Sequence, residues 1–206
     1  MNEKRVVILD LELGNLHSVA RAVERAGGKP EITADPDRVR QADRVIVPGQ
    51  GAIRKCMSSL EGGLGDSLLE LVRAGRPYLG ICLGMQALFE SSEEAPDVRG
   101  LGYFGGRVVR FENGVLGPDG QPLKVPHMGW NQIDSRSPAF EDGAWFYFVH
   151  SYYCAPEDPS IVVATANYGG PFCVAIEREN VLGCQFHPEK SHRAGVRLLS
   201  RFLETH

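Results

Sequence analysis

Apolar β runs alternate with amphipathic helical stretches through the first half of this chain, and that alternation constrains the fold more than any other feature. Arg5–Leu9 is an apolar strand. Asn15 can cap a helix that places Leu16, Val19, Ala20, Val23 and Ala26 on one face and stops at Gly27-Gly28. Glu31–Thr33 and Arg44–Val47 are further strands, the second closed by Pro48-Gly49. Leu68–Ala74 reads as helix and Tyr78–Ile81 as strand. A helix between two strands returns the chain to the edge it left, so the strands run parallel. The pattern predicts a three-layer α/β fold with a mostly parallel central sheet flanked by helices.

The second half changes character. Arg107–Phe111, Gly129–Asp134, Trp145–Tyr153, Ile161–Asn167, Phe172–Ile176 and Val181–Phe186 read as strands, with Glu177–Asn180 as a polar hairpin turn. These are added antiparallel strands. A last helix starts at about Ser191 and puts Val196, Leu199 and Leu203 on its core side. Gly62–Gly65 and Asn113–Pro122 read as surface loops. No linker-like stretch or internal repeat interrupts the chain, so one domain over residues 1–206 is expected.

Composition excludes several classes. Of 206 residues, 43% are hydrophobic and 23% charged, enough apolar surface for one well-packed core. The net charge of −4 comes without a basic block, which argues against nucleic acid. No apolar run approaches the roughly 20 residues of a membrane span, and the N-terminal one is too short for a signal peptide. The five cysteines are odd in number and form no C-x-x-C pair. Free thiols in a reducing cytoplasm are expected, without a disulfide framework or metal site. Cys173 and Cys184 read as core, and nothing marks Cys56, in a helix, or Cys154 as reactive.

Cys82 differs. In P-Y-L-G-I-C-L-G-M-Q, residues 77–86, a short apolar strand reaches the cysteine and passes into helix-forming residues, with Gly80 and Gly84 on either side. This G-x-C-x-G pattern is that of a nucleophile elbow, which would leave the thiol at a helix N-terminus where the thiolate is favoured. A buried, inert cysteine is the alternative that five residues leave open.

A thiol nucleophile needs a base, and the base an orienting group. His17, His192 and the terminal His206 read as surface residues, which leaves His127, His150 and His187. His187 ends an apolar strand in G-C-Q-F-H-P-E-K, and Glu189 follows two residues later. On extended backbone, residues two apart share a face, so Glu189 can hold the imidazole in one tautomer. A strand-end surface pair is the competing reading. P-G-Q-G at 48–51 follows a strand. Its backbone at Gly51 can supply half of an oxyanion hole, with the N–H of Leu83 as the other half.

Taken together, G-I-C-L-G-M-Q, the P-G-x-G loop and H-P-E resemble the class I, triad-type glutamine amidotransferases over the whole chain. The resemblance implies a flavodoxin-like fold, no cofactor, and a Cys82–His187–Glu189 triad that hydrolyses glutamine. It also implies that Gly49, Gln86, Glu94 and the backbone at Ser151 and Tyr152 hold the substrate. G-N-L-H-S-V at 14–19, K-V-P-H-M-G-W-N at 124–131, F-V-H-S-Y-Y at 148–153 and Q-F-H-P-E-K-S at 185–191 are similar to the glutaminase subunits of imidazole glycerol phosphate synthases. Those subunits dock on a (β/α)8-barrel cyclase and deliver ammonia to it for histidine biosynthesis. Asn15, Lys124, His127, Trp130, Tyr152 and Lys190 lie in motifs that the family directs toward that interface. Trp130 is the expected anchor, with a core aromatic as its alternative. A glutaminase of another synthase, a stand-alone cysteine hydrolase and a docking module without activity are the competing functions. Two positions depart from the family: Gln50 stands where a small apolar residue is usual, in a loop thought to flip, and Leu11 stands where Tyr is usual.

Overall fold

The computed structural model describes residues 5–117 and 120–204. His206 and the middle of the 113–122 loop lie outside the described residues. In chain order the first half forms β1 (Val6–Leu9), α1 (Leu16–Arg25), β2 (Pro30–Thr33), α2 (Pro36–Arg40), β3 (Arg44–Gly49), α3 (Ile53–Ser59), α4 (Leu64–Arg73), β4 (Tyr78–Cys82) and α5 (Leu83–Gln86). The second half forms β5 (Phe89–Ser92), β6 (Phe104–Arg110), β7 (His127–Gln132), β8 (Asp134–Ser135), β9 (Trp145–His150), β10 (Tyr152–Pro156), β11 (Val162–Asn167), β12 (Pro171–Arg178), β13 (Val181–Cys184) and α6 (His192–Glu204).

The central sheet has eight strands in the order β2-β1-β3-β4-β13-β12-β11-β8. From β2 to β13 every pairing is parallel; β12, β11 and β8 continue the sheet antiparallel. β1, β3, β4 and β13 are buried at every residue. They read as continuous apolar runs because helices cover both faces. Side chains alternate between two cores. Val7, Leu9, Val45 and Val47 meet Leu64, Leu68 and Leu71 of α4 on one face. Val6, Ile8, Ile46, Leu79 and Ile81 meet Val19 and Val23 of α1 and Leu199 and Phe202 of α6 on the other. Each such side chain contributes about 1.5–3 kcal/mol of burial.

Four differences from the sequence reading have local causes. The expected strand Trp145–Tyr153 breaks at Ser151: β9 pairs with β7, whereas β10 pairs with β6 in a separate three-stranded sheet. The Ser151 carbonyl accepts from the Phe111 N–H at that switch. α4 begins at Leu64, inside the expected Gly62–Gly65 loop, because Gly63 at φ 94° turns directly into the helix. The core face of α6 is Gly195, Leu198, Leu199 and Phe202; Val196 and Leu203 flank it half-buried. α2 and β5 are too short to show a period, and the sequence does not announce them.

Candidate active site

β3, β4 and β13 end side by side, with Gly49 opposite Cys82 and Ile81 opposite Cys184. In open α/β sheets ligands bind at the carboxyl ends of such strands. Cys82 turns the chain there with φ 54° and ψ −105°. This conformation is rare for a residue with a Cβ and costs on the order of 1–3 kcal/mol. The surroundings enforce it. A Cβ on Gly84 would lie 1.8 Å from the Val47 carbonyl oxygen, so only glycine lets α5 sit against β3. The buried Tyr78 hydroxyl donates to the Gly84 carbonyl at 2.7 Å and ties the turn to the base of the strand. α5 itself is a single turn of four residues. Its dipole is correspondingly small, and the local N–H groups, Leu83's among them, are what the turn offers an anion.

His187 follows β13 and is 1% exposed. Its Nδ1 lies 2.8 Å from Glu189 Oε1, whose side chain is 3% exposed. The 3-10 turn Pro188–Lys190 curls the chain so that this near-neighbour pair closes, and Ser191 Oγ fixes the turn by donating to the His187 carbonyl. Burial alone disfavours imidazolium. Hydrogen bonding and Coulomb attraction to Cys82 and Glu189 outweigh it and lift the His187 pKa to about 9. The strand-end surface-pair reading is therefore excluded. Gln50 reaches the same ring nitrogen, with Nε2 at 3.4 Å from His187 Nδ1.

A cavity of about 260 Å³ opens over Cys82 and Gln50, with His187 and Glu189 outside its lining. Cys82, Leu83, Gln50, Gly51, Gln86, Glu94, Ser151 and Tyr152 all line it. Gly49 does not: it is packed against Leu83, whose Cβ leaves no room for a side chain there. Gly51 has φ 119°. Gln86 is nearly buried and donates to the Tyr152 carbonyl at 3.0 Å and to Gln185 Oε1 at 3.1 Å. Glu94 Oε2 accepts the N–H of Ile53 at 3.1 Å, so it caps α3 from a distant part of the chain. A larger cavity, about 430 Å³, lies near Pro77 and Asn180 at the opposite end of the sheet and touches none of these groups.

The other expected site residues lie on separate elements and differ in exposure. Asn15 caps α1, its Oδ1 accepting from Ser18 N–H, and is exposed, as is Lys124. Trp130 is 44% exposed and stacks on His192 at 5.1 Å, while the Lys190 ammonium lies over the Tyr147 ring. His127 is different: 3% exposed and stacked between Phe148 and Tyr168, it has no surface to offer a partner. Leu11 is likewise fully buried in the core. Burial pushes the thiols of Cys56 and Cys173 up to about 12, and those of Cys154 and Cys184 well up, as inert cysteines require. Among the described residues no cluster of His, Cys, Asp and Glu could hold a metal ion.

The sequence reading missed Gln185, which is fully buried and donates from Nε2 to Cys82 Sγ at 3.5 Å. Its position two residues before the base was the available signal.

Comparison with known proteins agrees with this geometry. Residues 7–205 match the model of the class I glutamine amidotransferase family. The imidazole glycerol phosphate synthase subunit HisH of Syntrophotalea carbinolica is 51% identical, over 96% of this chain and 98% of its own. The subunit of the same name from Methylococcus capsulatus is 48% identical, over 96% and 95%. A crystal structure of a glutamine amidotransferase superposes with a TM-score of 0.75 over 97% of both chains at 21% identity, which supports the shared fold. A strained cysteine elbow facing a buried His–Glu pair, on this fold and with these relatives, leaves one assignment: the chain belongs to the class I glutamine amidotransferases, within the family of imidazole glycerol phosphate synthase HisH subunits.

Proposed function

We propose that the chain, acting as one domain over its whole length, hydrolyses glutamine to glutamate and ammonia and passes the ammonia to a separate (β/α)8-barrel cyclase subunit. The observation that carries the reading is the strained Cys82 elbow that lines the cavity, beside a buried His187 whose Nδ1 is held 2.8 Å from Glu189 and whose pKa is raised to about 9. Cys82 Sγ attacks the amide carbon of the glutamine side chain, forming the S–C bond. The proton held by His187 goes to the departing nitrogen as the C–N bond breaks and ammonia leaves. Water, deprotonated by His187, then cleaves the thioester. Glu189 stabilises the imidazolium throughout. The N–H groups of Gly51 and Leu83 stabilise the oxyanion, each worth on the order of 3 kcal/mol.

The amide hydrogens of Gln86 are both engaged, by the Tyr152 carbonyl and Gln185. Its oxygen remains to accept a bond from the substrate's amino-acid end. Glu94, on the same wall, offers its second carboxylate oxygen to the α-ammonium group. Ser151 and Tyr152 present backbone where the chain switches between the two small sheets.

Ammonia released to water is mostly protonated at neutral pH, so a neutral acceptor has to be reached without passing through bulk solvent. The outer face of β7–β9 suits a partner that would enclose that path. Met128, Trp130 and Trp145 are 62%, 44% and 56% exposed on that face, and Val149 on the same face lines the cavity. Trp130, Asn15, Lys124 and Lys190 are the proposed contacts, and Trp130 the anchor. The buried free thiols agree with a cytoplasmic setting. The test is glutamate release from glutamine, slow for the chain alone and stimulated by a barrel cyclase carrying its ligand. Absence of stimulation by any such cyclase would overturn the proposal, and rapid turnover without a partner would favour a stand-alone hydrolase.

A further inference from the structure

Gln185 is fully buried, has no assigned role and touches the sulfur of Cys82. Its orientation is fixed by backbone groups, which cannot flip. Gln86 Nε2 lies 3.0 Å from the Tyr152 carbonyl oxygen, so that end of Gln86 is the amide nitrogen. The same nitrogen lies 3.1 Å from Gln185, which must present oxygen there. The NH2 of Gln185 is therefore the end that meets Cys82 Sγ, at 3.5 Å, an ordinary distance for a sulfur acceptor.

The Tyr152 carbonyl is in turn held from its other side. His150 Nδ1 lies 2.8 Å from it, His150 Nε2 lies 3.1 Å from His127 Nδ1, and His127 Nε2 lies 3.4 Å from Asn131 Nδ2. Asn131 cannot turn round, because its Oδ1 accepts the Gln132 N–H and its Nδ2 donates to the Asn167 carbonyl. Its N–H therefore points at His127, the N–H of His127 at His150, and the N–H of His150 at the Tyr152 carbonyl. Both ends demand the same direction, and it is the direction available to two uncharged imidazoles.

We propose that Gln185 is a positioning residue for the Cys82 sulfur, an N–H donor that selects its rotamer and favours its anionic form. The Tyr152 carbonyl, held by His150 and Gln86, keeps that donor aimed. Only the kinetic readout of this inference rests on the glutaminase reading.

The test uses the full chain with Gln185→Met, which keeps volume and removes the donor, and Gln185→Leu, which removes it with a smaller apolar side chain. Alkylation of Cys82, which lines the cavity, by iodoacetamide at pH 7 is followed by mass spectrometry, with the other four cysteines as internal controls. Losing a hydrogen bond to a charged group corresponds to about a tenfold or larger fall in rate. Both variants should alkylate at least tenfold more slowly. Glutamine kcat in the complex with the cyclase should fall by a similar factor and by more than KM rises. A purely structural role would instead lower the melting temperature and leave Cys82 reactivity unchanged in the folded fraction. Wild-type alkylation rates and kcat in either folded variant would overturn the proposal; if Gln185→Met does not fold, Gln185→Leu decides. Slowed alkylation in a chain that hydrolyses no glutamine with any partner would sink the glutaminase reading and leave this inference standing.

Discussion

His187 and the His127–His150 pair are buried almost equally, at 1%, 3% and 6% exposed, yet they are driven in opposite directions. His187 rises to about 9, whereas His127 falls to about 4 and His150 to about 3. Burial lowers all of them. The difference lies in what each ring faces. His187 faces an anionic carboxylate and a thiol. His127 and His150 face each other, a backbone carbonyl and the rings of Phe111, Phe148, Tyr168 and Phe172. Burial thus supplies the low-dielectric setting, and the partner decides whether the proton stays. One region can hold a proton at neutral pH, as the proposed mechanism requires, and the other is a neutral strut at the cavity wall.

That comparison breaks most completely at the thiol. Cys82→Ala should lower glutamine hydrolysis by about 10⁴-fold or more while leaving synthesis from added ammonia by the complex intact, measured by parallel assays with each nitrogen source. Glu189→Gln removes the charge and keeps the shape. Its kcat should fall by about 10²–10⁴-fold, and His187 should give up its proton at lower pH, read from the alkaline limb of the rate profile.

Stability should then bend both ways with pH. The raised His187 contributes stability that is complete below its unfolded pKa of about 6.5 and is lost as pH rises through about 9. His127 and His150, with lowered values, contribute stability that is present above about 6.5 and is lost as pH falls toward about 4. Denaturant midpoints should therefore peak near pH 6.5. His150→Phe should flatten the acid side and leave the alkaline side intact. The smallest effect on the free chain should come from Trp130→Ala. Because Trp130 is 44% exposed, its loss should change stability by about 0.5 kcal/mol or less, yet weaken cyclase binding by about 10-fold or more in a titration.

The two regions were not equally legible in the sequence. Cys82, His187 and Glu189 could be read because their chemistry is local: an elbow needs glycines two positions away, and a His–Glu pair needs adjacent backbone. The parallel half of the sheet could be read because burial on both faces leaves continuous apolar runs. The neutral pair could not. His127 sits in a motif that also carries the exposed Trp130, and in a strand the two differ only by an odd number of residues. Which face is inward depends on Tyr168 and Phe172, which arrive from distant segments. The break at Ser151 was hidden in the same way, because the aromatic run F-V-H-S-Y-Y carries no turn residue stronger than a serine. Gln185 was visible as a letter, but its role exists only once Gln86 and Tyr152 are folded beside it.

The most direct measurement is an NMR titration of the histidine rings, assigned by substitution, from pH 4 to pH 10. One ring, His187, should titrate near 9 and move to lower pH in Glu189→Gln, while His127 and His150 should hold their neutral tautomers from pH 10 down to about pH 5. If His187 titrates at or below 6.5, or moves with His127 and His150, partner chemistry does not set the charge in this site and the account is wrong.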